Sequence, residues 1–252
     1  MGLQVERIPT LSDNYTYLAI CDATGKAAVV DAPEAEPVIR RVEKLGVEVE
    51  KVLSTHHHFD HSAANPELAS RYGAPVFGHA TDADRIPGFT DGLEEGDRIQ
   101  VGEQEAHILF IPAHTRGHIA YVFEAAEALF CGDTLFAAGC GRLFEGDPEM
   151  MYEALCVKLA ALADPIRVFC GHEYTESNLR FAAHVEPDNR EVQSMLERVV
   201  ALRAGAAADW HDATPAEMSV PTTIGEERAT NPFLRARDSR ELGERRSLKD
   251  SF

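Results

Sequence analysis

The segment Thr55-His56-His57-His58-Phe59-Asp60-His61 places imidazoles at four of six consecutive positions, with a carboxylate inside the run. Imidazole and carboxylate are the ligands that borderline divalent metals such as zinc, iron and manganese accept. A purification tag also concentrates histidines, but this run sits in mid-chain directly after an apolar stretch, where tags do not occur. Further potential ligands repeat that placement. Val52-Leu53-Ser54 runs up to His56, Leu109-Phe110-Ile111 to His114, Leu129-Phe130-Cys131 to Asp133, and Val168-Phe169-Cys170 to His172. Strands that end at one edge of their sheets bring side chains remote in sequence into one pocket. Four such endings point to a single metal-binding constellation rather than to scattered structural histidines. His57 alternates with His56 and His58 and is expected to point away from them. His118 is expected to be structural, and His79, His107, His184 and His211 show no comparable pattern.

The elements that must position these residues follow from hydrophobic periodicity. Tyr15 to Asp22 and Lys26 to Asp31 read as neighbouring strands joined around Thr24-Gly25. Val38, Ile39, Val42 and Leu45 share one helical face, and Gly46 supplies a stop. Val49 to Ser54 reads as a buried strand. Asn65-Pro66 looks like an N-cap followed by a first helical residue, with Gly73 as the terminator. Ile99 to Val101, Ala106 to Ile111, Ala120 to Phe123, Ala128 to Cys131 and Arg167 to Cys170 are further strands, and a helix opens at Asp147-Pro148-Glu149. After about residue 173 the strand signals stop. Asn178 to His184 and Glu191 to Arg203 read as helices, followed by a turn-rich stretch from Asp212 to Pro232 and a charged tail. The order argues for helices packed over sheets, with a smaller helical region at the C-terminal end.

Bulk properties narrow the partners. The 252 residues carry 24 basic and 42 acidic side chains, a net charge of −18. A surface that negative repels nucleic acid and anionic lipid, so an anionic substrate would need a local basic cluster to hold it. The cysteines at 21, 131, 140, 156 and 170 are odd in number and form no C-x-x-C pair, which favours a reducing compartment. The opening residues carry no signal-peptide pattern and no apolar run suffices to cross a bilayer, so a cytoplasmic location is expected.

The spacing Thr55-His56-x-His58-x-Asp60-His61, with His114, Asp133 and His172 beyond it, resembles the metallo-β-lactamase superfamily over about the first 175 residues. That resemblance implies an α+β fold, an αβ/βα four-layer sandwich with a small C-terminal α-helical domain. It implies that His56, His58 and His114 hold one metal, that Asp60, His61 and His172 hold another, and that Asp133 bridges them. The expected cofactors are two divalent transition-metal ions, zinc with iron or manganese as alternatives. Paired metals about 3.5–4 Å apart lower the pKa of a shared water from about 15.7 to about 7, making a hydroxide nucleophile without a serine or cysteine. Asp60 and Asp133 are then the catalytic carboxylates. Asp60 would orient the hydroxide or take its proton, or serve only as a ligand.

Three more segments and the tail are similar to the hydroxyacylglutathione hydrolase (glyoxalase II) family. They are Ile8 to Tyr15, Cys131 to Gly141, Gly171 to Thr175, and Thr230 to Arg235. This resemblance implies a catalytic domain over 1–173, a helical glutathione-binding domain over 174–252, and hydrolysis of S-D-lactoylglutathione to D-lactate and glutathione; a monomer is expected, although the sequence does not reveal the oligomeric state. Arg142, Tyr174, Arg246 and Lys249 would contact the substrate. Lysine is common in the family at Arg142 and tyrosine at Phe144, which bears on glutathione affinity. Competing expectations are a glutathione persulfide dioxygenase with a single iron, a lactonase or β-lactamase, and a non-catalytic metal- or glutathione-binding module. The first would leave several second-site ligands unused.

Overall fold

In the computed structural model, which describes residues 2–205 and 209–252, the chain builds two mixed sheets with helices outside them. The first sheet runs β1 (Leu3–Thr10), β2 (Asn14–Cys21), β3 (Lys26–Val30), β4 (Glu48–Leu53), β5 (Val76–His79) and β6 (Asp91–Leu93), in that spatial order. The first three are antiparallel neighbours and the rest are parallel. All eight residues of β2 are buried, as expected of a strand covered on both faces. Tyr15, Tyr17 and Ala19 point into the layer between the sheets. Leu18 and Ile20 point outward beneath α1 (Ala35–Leu45), where Val38, Ile39 and Val42 meet them. Gly46 ends α1 in the left-handed conformation expected there.

α2 (Phe59–Ser62) is a single turn, and α3 (Asn65–Tyr72) adds Leu68 to the outer cluster. Asn65 is not the cap of α3. Ala64 holds that position, and the Asn65 amide donates to Ser54 Oγ at 2.9 Å, tying the helix to the end of β4. β5 and β6 are absent from the sequence reading because each is short and contains a glycine.

The second sheet has the order β14 (Thr222–Thr223), β13 (Arg167–Cys170), β10 (Ala128–Gly132), β9 (Ile119–Phe123), β8 (Gln104–Phe110) and β7 (Arg98–Val101). Between the sheets Tyr17 packs edge-on against Phe130 and Phe169, each with centroids 5.4 Å away, and its hydroxyl donates to Cys170 O at 2.5 Å. A hairpin of β11 (Leu135–Phe136) and β12 (Gly139–Cys140) follows Asp133. α4 (Pro148–Tyr152), capped by Asp147 as expected, continues into a helical stretch that buries Leu155 and Leu159.

The C-terminal region holds α5 (Thr175–Val185), α6 (Arg190–Ala204), α7 (Ile224–Thr230) and α8 (Ser239–Ser251). Strand signals do not stop near residue 173. β14 pairs antiparallel with β13, placing Thr222 beside Val168, and Trp210 packs on Tyr15 with its indole N–H donating to Asn14 O. The turn-rich stretch also contains α7, whose capping box at Thr223 and Glu226 replaces hydrophobic periodicity as its start signal. Among the described residues no helix is long and apolar enough to cross a membrane.

α7 carries a buried acid beneath the β11–β12 hairpin. Glu227 Oε2 accepts from Ala138 N at 2.9 Å and from Asn231 Nδ2 at 2.8 Å, and the same amide reaches Gly139 O. Burial dominates those bonds and pushes the Glu227 carboxyl up to about 7 from its ordinary 4.5. A carboxyl raised on folding contributes stability that is full below its unfolded pKa and is lost as pH rises through the folded one. Glu227→Gln should therefore flatten the decline in urea stability from pH 4.5 to 8, by up to about 3 kcal/mol relative to the parent. Parallel pH profiles for the two proteins would show that Glu227 ionises normally.

Candidate metal centre and substrate cavity

Four strand ends deliver the ligand candidates to one edge of the two sheets. His56 and His58 follow β4, and Asp60 and His61 ride on α2. His114 follows β8, Asp133 follows β10, and His172 follows β13. The ligand atoms of His56, His58 and His114 lie within 4.8 Å of one another, and so do those of Asp60, His61 and His172. Asp133 stands between the groups. One oxygen is 3.3 Å from His61 Nε2; the other is 3.5 Å from His114 Nε2 and 3.3 Å from His172 Nε2. A third grouping, Asp31 with His56 and His61, also satisfies the distance. Its carboxylate is already engaged, accepting from Thr55 N at 2.8 Å and Thr55 Oγ1 at 2.7 Å and facing His61 Nδ1 at 3.3 Å.

These residues fit a pair of divalent cations. His56 Nε2 and Asp133 Oδ1 are buried without a protein hydrogen-bond partner, and burial of that kind is costly unless something else satisfies the group. His58 Nδ1 and His114 Nε2 face each other at 3.1 Å, as do His61 Nε2 and His172 Nε2 at 3.2 Å. The far nitrogens are fixed from behind. His56 Nδ1 meets Thr55 Oγ1 at 3.0 Å, His114 Nδ1 meets Arg142 O at 2.9 Å, and His172 Nδ1 meets Asp13 Oδ1 at 2.7 Å. Such outer bonds set tautomer and ring orientation. Burial lowers His56 and His114 and takes His58 down to about 4, leaving neutral imidazoles with free lone pairs. Against the same burial, Asp133 and Asp31 lift His61 to about 10, and Asp133 with Asp13 raises His172 strongly.

Two glycines make the convergence possible. A Cβ on Gly132, whose φ is +46°, would stand 2.2 Å from Thr55 Oγ1, and one on Gly171 would stand 2.2 Å from Asp133 Oδ1. Each precedes a ligand candidate, so the backbone passes closer than any side chain would permit.

The cluster forms the floor of a cavity of about 750 Å³. Arg142, Arg246 and Lys249 also line it, with Phe136, Phe144 and Tyr174. Tyr174 lies flat on the His172 ring with centroids 4.8 Å apart. Phe144, 61% exposed, sits 5.1 Å from the His114 ring. Every residue that the sequence reading assigned to ligands or substrate contacts lies here except His56 and His61, which are buried in the floor.

The profile of the Metallo-beta-lactamase superfamily matches residues 10–172, and that of the Hydroxyacylglutathione hydrolase C-terminus matches residues 173–252. A hydroxyacylglutathione hydrolase of Rhodospirillum rubrum is 46% identical over 93% of this chain and 87% of its own. Another, from a Synechocystis strain, is 41% identical over 99% of this chain and 100% of its own. The chain belongs to the hydroxyacylglutathione hydrolase family. The crystal structure of ETHE1 from Myxococcus xanthus superposes with a TM-score of 0.71 at 25% identity, covering 98% of this chain and 90% of that one.

Around the residues that match the family's motif, the structure adds partners that the sequence reading did not name. Asp13, within the segment Ile8 to Tyr15, and Asp31, at the end of an apolar strand, back the imidazoles of His172 and His61. His57 does point away: its Nδ1 lies 3.3 Å from Asp82, and Arg85 reaches from its Nε2 to Glu145 in the loop behind Phe144. His118 accepts from Asp133 N at 3.1 Å and stacks on His56. The cysteines beside the site are buried, and burial first of all pushes the Cys140 thiol up to about 11 and Cys170 up to about 12, as inert thiols require. Asp13→Ala should weaken metal binding about 10–100-fold, the usual loss for an outer-shell partner, in competition with a chromophoric chelator. Undiminished affinity would show that stacking on Tyr174 orients His172 by itself.

Proposed function

We propose that this protein hydrolyses the thioester of S-2-hydroxyacylglutathiones, with S-D-lactoylglutathione the expected substrate and D-lactate and glutathione the products. One observation carries the reading: five imidazoles and two carboxylates converge beside a cavity that Arg142, Arg246 and Lys249 also line. His56, His58 and His114 would hold one divalent cation, Asp60, His61 and His172 a second, and Asp133 would serve both. Zinc, iron and manganese all suit this donor set. When bound, such cations ionise water near neutral pH and stabilise the negative charge that develops on a carbonyl oxygen under attack.

The chain's own residues do the remaining work. Asp60 is half-exposed at the cavity floor; despite its burial cost, the His172 and His61 rings beside it hold its carboxyl well below the ordinary range. It is therefore ionised at neutral pH, placed to accept a hydrogen bond from the attacking water and orient it. The water oxygen bonds to the thioester carbon, the carbon–sulfur bond breaks, and glutathione leaves as its thiolate. Burial pushes the Tyr174 phenol up to about 12, so it stays a hydrogen-bond donor toward the glutathione peptide. Against a net charge of −18, the Arg142, Arg246 and Lys249 cations hold the tripeptide's carboxylates through charge-assisted bonds. All of these groups come from one chain, which fits a monomer, and the five free thiols suit a cytoplasmic setting.

Purified protein should carry close to two transition metals per chain and release free thiol from S-D-lactoylglutathione. One iron per chain, with oxygen consumed on glutathione persulfide, would overturn the assignment. Asp133→Ala should strip metal from both groups, as read by elemental analysis; full occupancy would contradict its shared role. Replacing Arg246 and Lys249 by alanine removes two charged contacts, each worth about 1.5–3 kcal/mol. KM should rise at least tenfold while kcat changes little, and a collapse of kcat at constant KM would put the glutathione site elsewhere.

A further inference from the structure

The cavity contains an acid that the proposed reaction does not use. Asp250, in the last turn of α8, lines the cavity beside Arg142, Arg246 and Lys249. Its Oδ1 is 3.1 Å from Arg246 Nη2 and 3.5 Å from Arg142 Nε. Arg246 has little else to offer a ligand. Its Nη1 donates to Cys140 O at 2.7 Å, and its Nε is buried without a partner. Arg246 is only 8% exposed, and Nη2 is the nitrogen that Asp250 holds. Lys249 is committed too, donating to Ser177 O and Oγ at 3.0 and 3.1 Å. Asp250 itself is neither buried nor locked, its side chain being 46% exposed.

An acidic side chain in the last helical turn opposes the helix dipole, a cost that its i,i+4 pair with Arg246 offsets in part. Its carboxylate is also the counter-ion shared by the Arg246 and Arg142 guanidinium groups that line the cavity. We propose that Asp250 is a specificity-determining residue: its carboxylate takes, in the free protein, the guanidinium positions that a ligand carboxylate must occupy, so binding is an exchange of one carboxylate for another. A ligand that brings a carboxylate displaces Asp250 and keeps both arginines paired. A thioester of an uncharged thiol leaves Asp250 in place and gains nothing from the cationic residues. The inference rests on reading this part of the cavity as the glutathione site.

The test is Asp250→Asn, which keeps the side-chain volume and removes the charge. KM for S-D-lactoylglutathione should fall about three- to tenfold, the range of one partly exposed ionic contact, and free glutathione should bind correspondingly tighter by calorimetry. The gain should shrink with added salt, because exposed charges are screened. KM for the S-lactoyl thioester of N-acetylcysteamine, which has no carboxylate, should stay constant. Unchanged or raised KM for the glutathione thioester would overturn the proposal and make Asp250 a prop for the arginines. An equal fall in KM for both thioesters would also overturn it. If the parent protein neither turns over nor binds glutathione, the functional reading fails. If the parent binds and Asp250→Asn gains nothing, only the exchange fails.

Discussion

The structure depends on crowding ligand groups against their own repulsion. Ring nitrogens of His58 and His114, and of His61 and His172, approach to 3.1–3.2 Å around one shared carboxylate. Water is largely excluded, so unpaired lone pairs there are expensive. Only cations or protons relieve such an arrangement. The rest of the fold holds the groups in place until one does.

That holding is distributed over both sheets. β4 delivers His56 and His58, while Asp31 at the end of β3 clamps Thr55 and steadies His61. β10 and β13 run parallel and deliver Asp133 and His172, each across a glycine that lets the backbones close. Tyr17 spans the interface between the sheets and ties β2 to Cys170, two residues before His172. Outer carboxylates fix the ring orientations, so the inner nitrogens converge without searching. Preorganisation of this kind is what a site for charge stabilisation requires.

Charge is arranged on two scales. The chain as a whole is strongly acidic, yet one cavity is lined both by candidate cation ligands and by guanidinium and ammonium groups. The long-range field sets solubility and disfavours nucleic acid. Affinity for a small anion is decided locally, where low dielectric strengthens each contact. The C-terminal region supplies Arg246 and Lys249, adds β14 to the second sheet, and braces the β11–β12 hairpin through Glu227 and Asn231.

The sequence by itself determined the candidate ligands and the elements that end beside them. Imidazole and carboxylate chemistry is a property of the residue, and the apolar runs before His56, His114, Asp133 and His172 are local patterns with a fixed period. The helices at Val38 and Glu191 were legible for the same reason. β14 was not, being two residues long, and neither was α7, whose start is marked by a capping box rather than an apolar stripe. Asp13, Asp31 and Asp250 were also not named as site residues. Asp13 and Asp31 acquire their roles from partners 159 and 30 positions away, and Asp250 from Arg142, 108 positions away, as well as from its helical neighbour Arg246. Only the tertiary structure decides such pairings, because a side chain's charge is written in the sequence, whereas the neighbour that fixes its work is set by how the sheets and the last helix close.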